Sequence, residues 1–285
     1  ETRHARAMCE ARPDRLPATF ATDRASHAAA AWPYQFELTS TAQGLAQKIR
    51  PKSSEEGDPR EFAIDLVYGS QGQADEVYFT WIGNRLFELP FGWLHPQKVW
   101  GKQAYQDVGR DVLRATTPRC LECHTTFYEH QLGTPNEYRR DSLLLGVTCE
   151  RCHGPGLEHV THHRQHPDDK VAKKITRPTN LPRERQTDVC GQCHSDALHH
   201  RGPLFSYPVG EPLAEHFRLL LAEGIENDHV ADQVTYMKRS KCYEKDEQLT
   251  CITCHYPHRP SDPGEVARAC ANCHQPSACG EQARL

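Results

Sequence analysis

A five-residue pattern, Cys-x-x-Cys-His, occurs five times in the chain and dominates its sequence. The copies are Cys120-Leu121-Glu122-Cys123-His124, Cys149-Glu150-Arg151-Cys152-His153, Cys190-Gly191-Gln192-Cys193-His194, Cys251-Ile252-Thr253-Cys254-His255 and Cys270-Ala271-Asn272-Cys273-His274. Residues three and four apart share one face of a helical turn, so both sulfurs and the imidazole of each copy reach one ligand. The pattern predicts covalent attachment of haem c, with the cysteines bound to the porphyrin and the histidine bound to the iron.

Zinc ribbons and disulfides fit the pattern less well than haem does. A structural zinc ion takes four Cys or His ligands from two knuckles and needs no histidine directly after each cysteine pair. Here every Cys-x-x-Cys is followed by His. We therefore expect five covalent haems c, attached through ten cysteines. The proximal iron ligands would be His124, His153, His194, His255 and His274.

The composition argues against several classes of protein. The 285 residues carry a formal net charge of −4 and contain no long basic run, so no nucleic-acid partner is expected. No stretch of about eighteen apolar residues occurs, so no membrane-spanning helix is expected. Only 37% of the residues are hydrophobic, which is lean for an ordinary core. Five porphyrins would supply the missing apolar surface.

The expected haem chemistry also indicates an exported protein. Covalent haem attachment in bacteria takes place outside the cytoplasmic membrane, so we expect a periplasmic or extracellular location. The sequence opens Glu1-Thr2-Arg3-His4 without a signal-peptide pattern, as a mature or trimmed terminus would. Ten of the 13 cysteines belong to the motifs. In an oxidising compartment two of Cys9, Cys242 and Cys279 could pair, and the sequence leaves open which two.

Residues 32–94 show the period-two alternation of β-strands and contain no haem motif. Apolar and polar residues alternate in two runs, 34–38 and 62–68. Gly83-Asn84 separates two further apolar segments and is a two-residue hairpin signal. A small antiparallel β-meander is therefore predicted in this part of the chain.

From Lys98 onward we expect no strands, and helices are predicted at about 103–115, 212–223 and 228–240. The first cysteines of successive motifs are 29, 41, 61 and 19 residues apart, which excludes a tandem array of identical units. The short last interval predicts that the fourth and fifth haems are neighbours.

The predicted fold class is mainly α and irregular, a cofactor-dominated multihaem fold with a small antiparallel β-meander in the N-terminal third. Two domains are predicted. Residues 1–100 would form an N-terminal segment with the meander and one candidate distal haem ligand, and residues 101–285 would form a pentahaem cytochrome domain.

Histidine is the main candidate for the second, distal ligand of each iron. Thirteen of the 18 histidines lie outside the motifs, whereas the chain has only two methionines. Bis-His ligation is therefore expected for most irons, and it favours low reduction potentials because a Met ligand raises them. The best-placed candidates are His4, His159, His229 and His258. The fifth distal ligand stays open between His27, His130 and His163, and the run 162–166 is expected to be exposed.

His258 has a geometric constraint of its own. It lies three residues after the proximal His255, with Pro257 between them. A ligand so close in sequence cannot easily reach the opposite face of the same porphyrin. We therefore expect His258 to bind the iron of a different haem.

Several stretches resemble bacterial multihaem cytochromes of the hydroxylamine oxidoreductase and cytochrome c-554 superfamily, a type also found fused to tetratricopeptide repeats. They are 146–159, 249–258, Phe87-Glu88-Leu89-Pro90-Phe91-Gly92-Trp93 and 229–242. The resemblance covers about residues 60–275, and in that group the positions matching His4, His159, His229 and His258 look like distal ligands. The chain departs from the group in having no Cys-x-x-Cys-His before residues 3–8 and no tetratricopeptide region. It also has no Cys-x-x-Cys-Lys, the motif of the lysine-ligated nitrite reductases.

Electron transfer along closely packed haems is the function that these features favour, with other redox proteins or cytochromes as partners. Two alternatives stay open. An iron without a distal histidine could bind a small nitrogen or sulfur oxyanion or peroxide, with His162, His163 or Tyr128 as proton donors, which would make the chain an enzyme. The chain could also be a subunit of an extracellular cytochrome filament, a homopolymer with haem contacts between subunits.

The number of haems has a direct test. Thioether bonds survive unfolding, so the intact mass under denaturing conditions should exceed that of the polypeptide by five haem masses. Mass spectrometry of the purified protein measures this difference. A mass equal to that of the bare polypeptide, or the retention of zinc, would contradict the haem assignment.

Overall fold

The computed structural model describes residues 4–12, 33–41, 44–53, 58–69, 75–95, 98–102, 112–195, 198–219, 232–259 and 264–275. They belong to two compact units, the N-terminal unit (His4–Val147) and the C-terminal unit (Thr148–Leu285). The sequence predicted a different boundary, near residue 100, between a segment without haem motifs and a haem-binding domain. That boundary stays a prediction. No described helix is long and apolar enough to cross a membrane.

The N-terminal unit is built almost entirely of antiparallel strands. They are β1 (Met8–Glu10), β2 (Tyr34–Thr41), β3 (Gly44–Pro51), β4 (Arg60–Ala63), β5 (Leu66–Tyr68), β6 (Val77–Ile82), β7 (Arg85–Glu88), β8 (Phe91–Leu94), β9 (Val99–Lys102), β10 (Arg114–Ala115), β11 (Thr125–His130) and β12 (Tyr138–Leu145), with helix α1 (Pro118–His124) before β11. A five-stranded sheet has the order β1-β5-β6-β7-β10, a three-stranded sheet the order β2-β3-β4, and β8-β9 and β11-β12 are two-stranded.

The predicted β-meander is confirmed, and its alternation explains which side chains are buried. Phe36 and Leu38 on β2 and Ile49 on β3 point into one core with Phe91, and the rings of Phe36 and Phe91 stack 5.0 Å apart. Gly83 adopts φ 61° in the turn between β6 and β7, a conformation that glycine takes without steric cost.

Several predictions about secondary structure are wrong. Strands continue beyond Lys98 in β9 to β12 and in two later segments, 198–200 and 217–219. Helix and strand occupy similar shares of the structure, so the fold is not mainly α. At the end of the helix predicted at 103–115, Arg114 and Ala115 form strand β10 instead. Residues 103–111 lie outside the described part. The helix predicted at 212–223 stops at His216, where a strand begins that pairs with 198–200.

The C-terminal unit consists mainly of short helices. They are α2 (Glu150–His153), α3 (Leu157–Gln165), α4 (Arg183–His194), α5 (Leu213–His216), α6 (Gln233–Arg239), α7 (Lys241–Lys245), α8 (Cys251–Cys254) and α9 (Glu265–Ala271), with a 3-10 turn at Pro178–Asn180 and the strand pair β13 (Leu198–His200) and β14 (Phe217–Leu219). Helix α6 confirms part of the helix predicted at 228–240.

Buried apolar side chains are distributed unequally between the two units. Most belong to the N-terminal unit, and the C-terminal unit contributes few among the described residues. These few are Val189, Leu198, Tyr207, Leu213, Phe217 and Val234. A unit of this length ordinarily buries a larger apolar core.

The stacked ring of Phe36 should contribute strongly to the stability of the N-terminal unit. Phe36 is 1% exposed, so Phe36→Ala should lower the free energy of unfolding by about 3–5 kcal/mol through lost burial and the cavity left behind. The matched control, Leu132→Ala, removes a side chain that is 86% exposed and should change it by about 0.5 kcal/mol or less. Denaturant unfolding followed by circular dichroism measures both, and equal effects would contradict the packing described.

Candidate haem-binding sites

All five motifs lie on helical turns, as their spacing predicted. The first ends helix α1 at His124, and the third ends α4 at His194. In the other three, the backbone N–H of the histidine donates to the carbonyl of the first cysteine, at 2.9 Å for His153, 3.0 Å for His255 and 2.9 Å for His274. This i to i−4 bond brings the two thiols and the imidazole of a motif to one side of the turn.

Three proximal histidines donate a hydrogen bond from Nδ1 to a fixed oxygen. His124 donates to the carbonyl of Ala7 at 3.3 Å, and His153 donates to the carbonyl of Thr176 at 2.8 Å. His194 donates to Oε1 of Gln233 at 3.1 Å. Such a bond fixes the tautomer and the plane of the ring, so the iron-binding role falls to Nε2. Backbone carbonyls carry no sequence signal, and the sequence predicted none of the three acceptors.

The first site is enclosed by aromatic and paired polar groups. The ring of Tyr68 lies 4.3 Å from that of His124. Within the motif, Glu122 is buried and receives a hydrogen bond from Arg119 at 2.7 Å, so its charge is paired. Burial raises the pKa of Tyr128 far above its ordinary value, and its hydroxyl donates to the carbonyl of Pro118. This environment makes Tyr128 a poor proton donor to a bound substrate.

The second and third motifs touch each other through residues between their cysteines. Nε2 of Gln192 donates to the carbonyl of Arg151 at 2.8 Å. The Arg151 guanidinium lies over the ring of Phe205, 5.0 Å from its centre. Burial raises the pKa of Cys152 to about 11, and the nearby thiol of Cys193 adds to the rise. The two attachment sites are therefore adjacent within the C-terminal unit.

The third and fourth motifs are also adjacent, since helices α4 and α8 pack against each other. Interaction between the thiols of Cys190 and Cys251 lowers the pKa of Cys251 and raises that of Cys190. Arg183, at the start of α4, holds the segment before the fourth motif. Its Nε donates to the carbonyl of Leu249 at 3.0 Å, and its Nη2 donates to that of Tyr243 at 2.6 Å. The guanidinium also lies 3.4 Å from the centre of the Tyr243 ring.

The fourth and fifth motifs are neighbours, as their short separation predicted. Helices α8 and α9 pack against each other. Burial raises the pKa of Cys254, and the thiols of Cys270, Cys242 and Cys273 lie close enough to raise it further. Cysteines of the second to the fifth motif therefore form one continuous series within the C-terminal unit.

Among the predicted distal ligands, His258 has the most informative position. Its ring lies 5.8 Å from the ring of the proximal His153, and the two planes differ by 22°. An imidazole nitrogen lies about 2 Å from a bound transition metal, so two imidazoles on opposite sides of one iron have ring centres about 6 Å apart. The pair His153 and His258 matches that spacing, and its partner belongs to a different motif from the one that precedes His258.

The remaining predicted distal ligands are less constrained. His159 on α3 donates from Nδ1 to the carbonyl of Lys173 at 2.7 Å, which suits a ligand acting through Nε2. His4 is exposed, and its carbonyl accepts from the backbone N–H groups of Ala7 and Val147. His229 lies outside the described residues. The roles of all three stay predictions.

The candidates for the fifth distal ligand differ in what binds their Nε2. In His130 this nitrogen donates to the carbonyl of Thr134 at 2.8 Å, and in His163 it accepts from the backbone N–H of Lys173 at 3.4 Å. Both contacts compete with iron binding through Nε2. His27 lies outside the described residues. Within the run 162–166, the last three residues are exposed and the first two are half-buried.

No disulfide is formed among the described cysteines. Cys9 lies half-buried on β1, and Cys242 is exposed on α7. Cys279 lies outside the described residues. The predicted pairing of two of these three cysteines therefore stays a prediction.

The surface around the motifs fits a large apolar cofactor. Leu157 follows the second motif and is 78% exposed, and Tyr256 follows the fourth and is 54% exposed. Ile252, inside the fourth motif, and Val266, shortly before the fifth, are also exposed. Porphyrins attached at these motifs would cover such side chains, and the residues present therefore fit haem.

Removing the guanidinium of Arg183 should loosen the contact between the third and fourth motifs. Arg183→Ala abolishes two hydrogen bonds and one stacking contact, so the free energy of unfolding should fall by about 2–3 kcal/mol. Arg183→Lys should lose part of that amount because it lacks the planar fork. Arg177→Ala is the control, an exposed arginine expected to change it by about 0.5 kcal/mol or less. Denaturant unfolding provides the comparison, and equal effects of the two Ala variants would contradict the role of Arg183.

Comparison with known proteins supports the haem assignment. Residues 95–154, which include the first two motifs, match the family described as cytochrome c554 and c-prime. The multihaem cytochrome MtrA of Shewanella baltica (strain OS185) is 26% identical over 150 residues, or 47% of this chain and 44% of that protein. The chain therefore spans less than half the length of this relative.

A solved structure is similar in part. The outer cell wall cytochrome OcwA superposes on 77% of this chain and 41% of its own, with a TM-score of 0.45 and 15% identity. The family match and the MtrA similarity, added to the five motifs, support a multihaem c-type cytochrome.

Proposed function

We propose that the chain carries five covalent haems c and conducts electrons along them. Haem iron, when bound, accepts and releases one electron at a time. The residues of the chain attach the porphyrins, supply the axial imidazoles and fix their spacing. The observation that carries the proposal is the continuous series of attachment cysteines in the C-terminal unit, where the packing of α4 against α8 brings the third motif beside the fourth.

The contacts of the C-terminal unit favour the order second, third, fourth and fifth motif. Gln192 joins the second motif to the third, Cys190 joins the third to the fourth, and Cys254 lies beside the cysteines of the fifth. Because a thioether sulfur is bonded to the edge of its porphyrin, adjacent cysteines imply adjacent porphyrin edges. Porphyrins with adjacent edges would pass electrons directly from one haem to the next.

Bis-His ligation is the second part of the proposal. His258 would bind the iron of the haem at the second motif, opposite His153, and His4, His159 and His229 would serve as further distal ligands. The Nδ1 atoms of His153 and His159 both donate to backbone carbonyls, which suits binding through Nε2. Imidazole pairs of this kind favour low potentials relative to Met ligation.

The partners and location are proposed from the same chemistry. Other redox proteins or cytochromes would deliver and remove electrons in the periplasm or outside the cell. The name of the MtrA relative describes a multihaem cytochrome, which agrees with this proposal. Assembly into a filament stays an open hypothesis, and electron micrographs of purified protein would distinguish filaments from single particles.

The assignment of His258 can be tested by substitution. His258→Ala should convert one haem from low-spin to high-spin, because the iron opposite His153 loses its distal imidazole. The denaturing mass should still show five haems, since attachment needs only the pentapeptide motif. His258→Met should instead keep that iron low-spin and raise one reduction potential. Electron paramagnetic resonance and a redox titration measure these changes.

The control for His258 is His199→Ala, which removes an exposed histidine on β13 and should leave all haems low-spin. A fully low-spin spectrum of His258→Ala would show that this histidine is not an axial ligand. In that case its role would be limited to contacts at the haem edge.

A further inference from the structure

The proximal histidines of the C-terminal unit differ in what holds their Nδ1. His153 donates to a backbone carbonyl, that of Thr176, whereas His194 donates to the side-chain oxygen of Gln233 at 3.1 Å. The position of a backbone carbonyl is set by the fold, and a substitution at Thr176 would leave it in place. A side-chain acceptor is set by the residue type, so its strength can be changed by a single substitution.

Packing of the residue after Gln233 holds the start of helix α6 in place. Gln233 is the first residue of helix α6, and the next residue, Val234, is buried against α4. Val234 also lies beside Gly191 of the third motif. A β-carbon at position 191 would lie 3.9 Å from Val234, an ordinary van der Waals contact, and 3.0 Å from Leu213 on α5. The helix that presents Gln233 is therefore anchored directly on the motif that carries His194.

The same face of α6 also reaches the fourth motif. Sγ of Cys251 lies 3.9 Å from Sδ of Met237. Met237 is four residues after Gln233, and residues four apart share one face of a helix. Lys238 further ties α6 to α4 through an ion pair with Glu184 at 3.2 Å. One short helix thus positions an acceptor at one haem site and a sulfur contact at the next.

We propose that Gln233 is a positioning residue that sets the reduction potential of the haem at the third motif, acting through His194. By accepting the hydrogen bond from Nδ1, Oε1 makes Nε2 a stronger donor to the iron and fixes the plane of the imidazole. A stronger donor stabilises the oxidised iron, so the potential falls. The inference rests on the proposed attachment of haem at Cys190 and Cys193.

Two substitutions of Gln233 should move one potential in opposite directions. Gln233→Leu removes the acceptor, so the midpoint potential of one haem should rise. Gln233→Glu offers a charged, stronger acceptor, so the potential of the same haem should fall. The g-values of one low-spin species should change in both variants, because they report the ligand field of that iron. A spectroelectrochemical titration and electron paramagnetic resonance of the full-length holoprotein provide the readouts.

Gln248→Glu is the matched control. It adds the same charge at another exposed glutamine of the same unit. Its g-values should equal those of the unaltered protein. The proposal is wrong if Gln233→Leu leaves every reduction potential and every g-value unchanged. It is also wrong if Gln233→Glu and Gln248→Glu give the same potentials and g-values.

Denaturing mass spectrometry of each protein distinguishes an error in the proposed five-haem function from an error in the role of Gln233 alone. A missing haem at the third motif in the unaltered protein would contradict the proposed five-haem function and this inference together. Five haems with unmoved potentials in the Gln233 variants would contradict only the role of Gln233.

Discussion

One helical turn, closed by the hydrogen bond from a histidine N–H to a cysteine carbonyl, constrains the rest of the C-terminal unit. It gathers two thiols and an imidazole on one side, and the imidazole then requires an oxygen for its Nδ1. Those oxygens come from distant segments, Thr176 for the second motif and Gln233 for the third. The positions of Thr176 and Gln233 are therefore linked to the proximal histidines of the second and third motifs.

The two units are stabilised by different kinds of interaction. The N-terminal unit has an ordinary core, in which Phe36, Phe91 and Trp100 stack between antiparallel strands. The C-terminal unit buries few apolar side chains and joins its helices through polar contacts such as those of Arg183 and Gln192. Net contributions of single hydrogen bonds are about 1 kcal/mol, too small to replace a core. We infer that the attached porphyrins supply the apolar interior, which explains why four of the five motifs belong to this unit.

Sequence patterns predicted what depends on local spacing. The five helical turns, the alternation in β2 and the hairpin at Gly83 are all encoded within a few residues. The strand β14 was predicted as helix because its residues continue the helical pattern of α5. Only its pairing with β13, about twenty residues earlier, makes it a strand. Strand β11 was missed for a similar reason, since it follows directly after the first motif and its partner β12 lies beyond a turn. Two acceptors of the proximal histidines, the carbonyls of Ala7 and Thr176, had no sequence signal because every residue has a backbone carbonyl.

His258 shows how a ligand far along the chain can organise the C-terminal unit. The contacts between cysteines run from the second motif to the fifth in sequence order, whereas the proposed ligand pair joins the segment after the fourth motif back to the second. An iron bound by His153 and His258 would close a loop of about a hundred residues, and the entropic cost of closing a loop rises only slowly with its length. Coordination by both rings would restrict the unfolded chain in the same way as a crosslink. The third motif lies inside that loop, where the contacts of Arg183, Gln192 and Gln233 hold it. The second and fourth motifs would then be connected twice, through the third motif and through the iron, so their spacing would not depend on any single polar contact.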